Sequence, residues 1–124
     1  MIIKIDFQSD EALYLQLRNQ IVMGIATSQL NEGDELPSVR QLAEDIGINM
    51  HTVNKAYSVL KQDGFVQVDR RRGAVIAIDA DRMRAIESVR RDLVRVLAEA
   101  SCRGVGRDEI HHLIDEIYDN YGGL

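Results

Sequence analysis

Three features of the sequence predict a mainly α fold carrying one small β-hairpin, an α+β arrangement. Leu13, Leu17, Ile21 and Ile25 recur every four residues, which places them on one face of a helix. Two further short helical patterns, each opened by a capping residue and closed by glycine, follow between Ser38 and Gly64. Beyond them, Phe65–Asp69 and Ala74–Ile78 read as strands on either side of Arg70-Arg71-Arg72-Gly73.

Taken in chain order, residues 2–6 alternate weakly, Ile3 and Ile5 against Lys4 and Asp6, and predict a short edge strand. Asp10 is the expected N-cap of the first helix, and Asn31-Glu32-Gly33-Asp34 ends it with turn chemistry. The single proline, Pro37, precedes Ser38, and Gln41 three residues on completes a capping box that starts the second helix. Leu42, Ala43 and Ile46 give that helix a buried side, with Gly47 placed as its left-handed terminal residue. Asn49 then caps a third helix whose Val53, Ala56, Tyr57 and Leu60 fall at i, i+3, i+4 and i+7 before Gly64 closes it. Two short helices about a tight glycine turn make a helix-turn-helix. With the basic hairpin in series the pattern is a winged helix spanning residues 10–78, and residues 1–78 form the expected first domain.

The pattern then changes. Residues 81–103 predict a long amphipathic helix on which Ile86, Val89, Leu93, Val96, Leu97 and Ala100 lie close to a heptad seam. Gly104-Val105-Gly106 breaks it, and a last helix from about Arg107 carries Ile110, Leu113, Ile114, Ile117, Tyr118 and Tyr121 on one face. Two helices of this size cannot bury enough surface to make a core of their own. A second copy of the chain, packed through a symmetric two-fold interface, is the economical partner for these stripes. Residues 79–124 are therefore expected to be a helical dimerisation tail, with Ile86, Val89, Leu93, Val96, Leu97, Ile110, Leu113, Ile114 and Ile117 in the seam.

Composition narrows the function classes. A chain of 124 residues with 45% hydrophobic content is globular rather than disordered. No apolar run approaches the ~20 residues of a membrane helix, and Asp6 and Asp10 interrupt the stretch where a secretory signal would be greasy. A soluble, cytoplasmic protein is expected. Lone Cys102 offers neither an internal disulfide nor a cysteine metal cage. The net charge of −5 argues against a generally basic nucleic-acid coat, but its distribution is uneven. Residues 36–78 carry six bases against four acids, while the flanking stretches are each net acidic, so an anion would bind in the middle.

The second helix of a helix-turn-helix enters the major groove, and residues near its start reach base edges. With Val53, Ala56, Tyr57 and Leu60 inward, the outward residues are Asn49, Met50, His51, Thr52, Asn54 and Lys55. Asparagine pairs with adenine bidentately, threonine donates or meets a thymine methyl, and lysine reaches phosphate or guanine. A merely solvated helix face with Asn49 and Thr52 as caps is the rival, and the capping box, turn and wing in series weigh against it. Arg40, in the first turn of the preceding helix, suits a phosphate; its bland role is an ion pair with Glu44. Arg70, Arg71 and Arg72 on one turn repel each other unless they meet an anion, and Gly73 lets the tip approach phosphate or minor groove.

The stretch from Leu36 to Ala77 resembles the winged-helix domain of the GntR family of bacterial transcription regulators. Leu36, Pro37, Ser38, Arg40, Leu42 and Ala43 meet its Leu-Pro-Ser-x-Arg-x-Leu-Ala motif, and Thr52, Val53, Ala56 and Tyr57 meet Thr-Val-x-x-Ala-Tyr. Leu60, Gly64, Arg72 and Gly73 match the later Leu-x-x-x-Gly and the Arg-Gly of the wing; Tyr14-Leu15-Gln16, Ile21 and Gly33-Asp34-Glu35-Leu36 extend the match to residues 10–78. The short tail is similar to that of the YtrA-like subfamily, in which it mediates dimerisation. The resemblance implies DNA contacts from Arg40, Asn49, His51, Thr52, Asn54 and the wing at Arg72-Gly73. Many relatives outside the subfamily carry arginines where this chain has Met50 and Asn54, and the usual Gly-x-Gly-Thr of the wing is here Arg71-Arg72-Gly73-Ala74.

The expected function is a sequence-specific, homodimeric DNA-binding transcription regulator, a repressor in preference to an activator, on a palindromic double-stranded operator. No nucleophile–base set or framed pair of carboxylates suggests an enzyme, and no cofactor or metal is implied. His111 and His112 are adjacent and point in different directions, where a helical metal pair needs i, i+4 spacing. Cys102 is read as inert packing, and Gly104-x-Gly106 as a helix break. The sequence leaves room for a small-molecule effector without identifying one. The rival function is a winged helix used as a protein-docking module, which the three wing arginines disfavour.

Overall fold

The computed structural model describes residues 2–124, and the chain divides into two compact units between Asp79 and Ala80. In the first unit it forms α1 (Leu13–Ala26), α2 (Val39–Ile46), α3 (Met50–Gln62), β1 (Val66–Asp69) and β2 (Gly73–Ile76). The second holds α4 (Arg82–Cys102) and α5 (Arg107–Asn120).

The three helices of the first unit pack around Leu17 and Ile21 of α1, Leu42 and Ala43 of α2, and Val53, Ala56, Tyr57 and Leu60 of α3. Val66 and Ile76 close that core from the hairpin. Leu17, Ile21, Val53 and Leu60 are fully enclosed, so the four-residue spacing on α1 and the i, i+3, i+4, i+7 set on α3 mark the buried faces. Tyr57 donates its hydroxyl to the Pro37 carbonyl at 2.7 Å, tying α3 to the start of α2. Burial pushes the pKa of that hydroxyl well above the ordinary tyrosine value, so it stays a donor.

Both helix starts in the middle of the unit rest on side-chain caps. Ser38 Oγ accepts from the Gln41 amide at 3.1 Å, and Asn49 Oδ1 accepts from the His51 amide at 2.7 Å. The capping box is only half formed, because the Gln41 side chain donates to Asp45 Oδ1 at 2.7 Å instead of turning back to Ser38. Between the helices Gly47 takes φ 71°, which lets the chain reverse in two residues. Gly64 also has positive φ, 86°, and a Cβ there would lie 2.9 Å from Asp79 Cβ, so both geometry and space demand glycine.

Several elements depart from the expectation. The first helix starts at Leu13, behind Ala12 with no side-chain cap, and Asp10 lies outside it. Residues 6–11 instead form turns in which Asp6 Oδ1 accepts from Gln8 N and Ser9 Oγ from Glu11 N. Residues 2–6 take no regular secondary structure and pair with no strand among the described residues. Two glutamine amides on α1 take that place: Gln20 bonds both main-chain groups of Lys4, and Gln16 both of Asp6. The segment after α1, whose composition predicts a plain turn, runs alongside β2. Gly33 N donates to Ile76 O at 2.8 Å, Ile76 N to Asp34 O at 2.9 Å and Leu36 N to Ala74 O at 2.8 Å. The hairpin therefore has a third short partner, residues 33–36. Strand register pairs Val66 with Ile76 and Asp69 with Gly73, so β2 begins one residue earlier and ends two earlier than the sequence pattern predicts.

Ser28, just past α1, is the one non-glycine residue with positive φ among those described, at 63°. A left-handed conformation disfavours an L side chain by roughly 1–2 kcal/mol. Ser28→Gly is therefore expected to raise the unfolding free energy by about 0.5–1 kcal/mol, after the added freedom of the unfolded chain is subtracted. Urea unfolding checks this: the midpoint should rise at unchanged slope, and an unchanged or lower midpoint would refute it.

In the second unit α4 is capped by Asp81, whose carboxylate accepts from Arg84 N at 3.2 Å. It ends at Cys102, and the chain turns away at Gly104, after which Val105 N reaches back to Ala100 O at 3.0 Å. No residue of α4 or α5 is buried within the chain. Among the described residues no helix is long and apolar enough to cross a membrane.

Candidate nucleic-acid interface

The start of α3 is held by its Asn49 cap at one end and by the buried Val53–Ala56–Tyr57–Leu60 face along its length. This leaves Met50, His51, Asn54 and Lys55 exposed, and Thr52 half-buried. Met50 is an apolar side chain in water, 46% exposed at the first position of the helix. Lys55 does not extend freely outward: its ammonium sits 4.1 Å from the centre of the Tyr14 ring on α1, an attraction of roughly 0.5–1 kcal/mol at such a site.

Arg40 is exposed in the first turn of α2, where unpaired backbone N–H groups give a partial positive charge. It forms no ion pair with Glu44 and no hydrogen bond with another described residue. Across the unit the hairpin tip is built by Asp69, whose Oδ1 accepts from Arg71 N at 2.8 Å, and by Gly73 at φ 75°. The Arg70 and Arg71 side chains are exposed and unpaired among the described residues. Arg72 differs. Its Nε lies 3.0 Å from Glu35 Oε1, and the same guanidinium donates to the Gly33 carbonyl. The expectation that all three wing arginines are uncompensated is thus corrected for Arg72, which is folded onto the third wing segment.

The structure so gathers Asn49, Met50, His51, Thr52, Asn54 and Lys55 at one helix start, and Arg70, Arg71, Arg72 and Gly73 at one hairpin tip. Glu35 and Tyr14 join the site through their contacts with Arg72 and Lys55, which the motif stretches they stand in do not announce. Among the described residues no three His, Cys, Asp or Glu side chains gather to hold a metal. His112 pairs with Glu116 at 3.1 Å, and Cys102 is exposed rather than packed.

In the second unit the expected seam residues are open to solvent. Leu93 and Leu97 are each 41% exposed, Val89 57%, Leu113 48% and Ile117 41%. Ile86, Val96 and Ile114 are likewise exposed, and Ile110 is half-buried. Tyr118 and Tyr121 lie open on α5.

Residues 13–76 match the family described as bacterial regulatory proteins, gntR family. The HTH-type transcriptional repressor YtrA of Bacillus subtilis is 33% identical over 119 residues, 93% of this chain and 91% of that protein. The chain belongs to the GntR family. Its relatives are transcription regulators, not enzymes, and the GntR winged helix accounts for the first unit. YtrA from Sulfolobus acidocaldarius, described as a GntR-family transcription factor, superposes with a TM-score of 0.67 at 42% identity over 79% of this chain and 99% of that one. A transcriptional antiterminator from Listeria monocytogenes EGD-e superposes over 100% of this chain and 95% of its own, with TM-score 0.88 at 28% identity. AraR(DBD), solved in complex with operator ORX1, shares the fold at 21% identity, with TM-score 0.53 over 60% of this chain and 96% of that one.

Proposed function

We propose that this GntR-family regulator is a homodimeric repressor that binds a palindromic operator, one α3 in the major groove of each half-site. The observation that carries the reading is the pairing of an exposed, polar start of α3 with a wing whose Arg70 and Arg71 side chains have no partner among the described residues. Asn49, Met50, His51, Thr52 and Asn54 face the bases. Arg40, Arg70, Arg71, Gly73 and, once released from Glu35, Arg72 meet the sugar–phosphate backbone, with Lys55 beside them. The repressor name of Bacillus subtilis YtrA and the operator complex of AraR(DBD) support repression and DNA binding by this fold. A regulator acting on bacterial DNA works in the cytoplasm, and nothing in the site calls for a cofactor or a metal.

Dimerisation supports the palindrome. Both tail helices leave an apolar face in water, with Leu93, Leu97, Leu113 and Ile117 all open to solvent. The helices are also charged with opposite sign: α4 carries five arginines against three acids, and α5 five acids against Arg107. A second copy offers each face its complement, through Ile86, Val89, Leu93, Val96, Leu97, Ile110, Leu113, Ile114 and Ile117. Residues 1–78 are then the DNA-binding domain and residues 79–124 the dimerisation tail.

Fluorescence titration of labelled duplexes at several salt concentrations tests the roles. Arg71→Ala is expected to weaken binding to every sequence and to flatten the slope of log affinity against log salt by about 0.9 for each phosphate it ceases to neutralise. His51→Ala is expected to narrow the gap between operator and random duplex while leaving the slope intact. If neither variant differed from the parent, these assignments would be wrong. A protein-docking winged helix would ignore DNA even at low salt.

A further inference from the structure

We propose that α3 reads an A·T-rich half-site, with Asn54 as the adenine-reading residue and Met50 against a thymine methyl. The inference rests on α3 entering the major groove, and it adds which bases α3 selects there. Bidentate reading of guanine needs an arginine or lysine aimed at O6 and N7. Lys55 is the only cation in the first two turns of α3, and its ammonium is drawn to 4.1 Å from the centre of the Tyr14 ring on α1. The remaining exposed side chains at this end are neutral amides, an imidazole and a thioether.

Two asparagines stand at the start of the helix, and the structure separates them. Asn49 Oδ1 is committed to the helix end, accepting from His51 N at 2.7 Å. Accepting from adenine N6 would draw that oxygen away from its cap. Asn54, one turn on, is exposed and its carboxamide is engaged by no other described residue. Both its donor and its acceptor are free for the adenine N6/N7 pair. The Met50 side chain, 46% exposed on the same end of the helix, has no polar group to offer a base. Its natural target in the groove is the thymine C5-methyl. His51 does not bias the reading, since an imidazole donor meets the N7 that adenine and guanine share.

Selection of bound sites from a random duplex pool, carried out with the full chain and with variants, tests this. The parent is expected to enrich A·T pairs beneath α3. Asn54→Ala should lose preference at one position per half-site, reducing discrimination there by about 5- to 150-fold, and Asn54→Arg should replace adenine with guanine at that position. Lys55→Gln should weaken binding to every sequence alike, as loss of a phosphate contact does. Deoxyuridine in place of the contacted thymidine should weaken the parent about fourfold, the value of one buried methyl group, and leave Met50→Ala unaffected. Guanine enriched beneath α3 of the parent, or identical pools from the parent and Asn54→Ala, would overturn the base assignment while leaving DNA recognition intact. No enrichment from any pool, with no binding at low salt, would overturn the proposed function and this inference with it.

Discussion

Leu60→Ala is expected to lower the unfolding free energy by about 2–5 kcal/mol, the usual range for a large-to-small change at an enclosed leucine. Leu60 is wholly inaccessible and belongs to the core shared by all three helices and the hairpin. Its loss opens a cavity in that shared core, to which both α3 and the hairpin contribute. A domain this small has only about 5–15 kcal/mol of stability in total, so the change removes a large share of its margin. Urea unfolding followed by circular dichroism measures it. A change below about 1 kcal/mol would mean that the core reforms without this side chain.

The second large effect is expected in the tail. Leu93→Glu combined with Leu97→Glu puts two carboxylates on the apolar face of α4, where each leucine is 41% exposed within a single chain. Glutamate is a good helix former, and no residue of α4 is buried in the chain, so the protomer should fold as before. Two charges buried against a second copy would remain unpaired, which strongly opposes association. Sedimentation should then give a monomer, and affinity for a two-half-site operator should fall by about 10²–10⁴-fold as the linkage between the two reading heads is lost. A dimer that persists at micromolar concentration would place the interface elsewhere.

Much of the fold is legible in the sequence because it is local. Asn49, Ser38 and Gly47 act on backbone groups within five residues, and spacing alone determines such caps and turns. The faces of α1 and α3 are legible for a related reason: the helical period puts Leu17 and Ile21, or Val53 and Leu60, on one side whatever they pack against. What escapes is set by chain segments far apart in sequence. Glu35 meets Arg72 across 37 residues, and nothing near either one announces the pair. The same holds for Tyr14 beneath Lys55. Residues 2–6 have strand-like alternation, yet Gln16 and Gln20 supply the hydrogen bonds that a neighbouring strand would otherwise give. Asp10 does not cap the helix because the turns at Asp6 and Ser9 use the preceding residues and delay its start to Leu13. The half-formed capping box has a comparable origin, since Asp45 competes for the Gln41 amide.

These differences bear on the site itself. Read from sequence, the wing is three equivalent arginines; folded, Arg72 braces the tip against residues 33–36 while Arg70 and Arg71 remain available. An exposed pair such as Arg72–Glu35 contributes only about 0–1 kcal/mol, weak enough for a phosphate to displace Glu35 as the duplex docks. In the proposed complex the two loose arginines and the braced one would meet the backbone from a single turn.

Hydroxyl-radical footprinting of the full chain on its selected operator is the most direct test that two copies read one duplex by a two-fold arrangement. The expected result is a pair of equal protected patches related by the symmetry of the site, centred one helical turn (~34 Å) or a multiple apart. A single unsymmetrical patch, or an unprotected duplex at saturating protein in low salt, would contradict it.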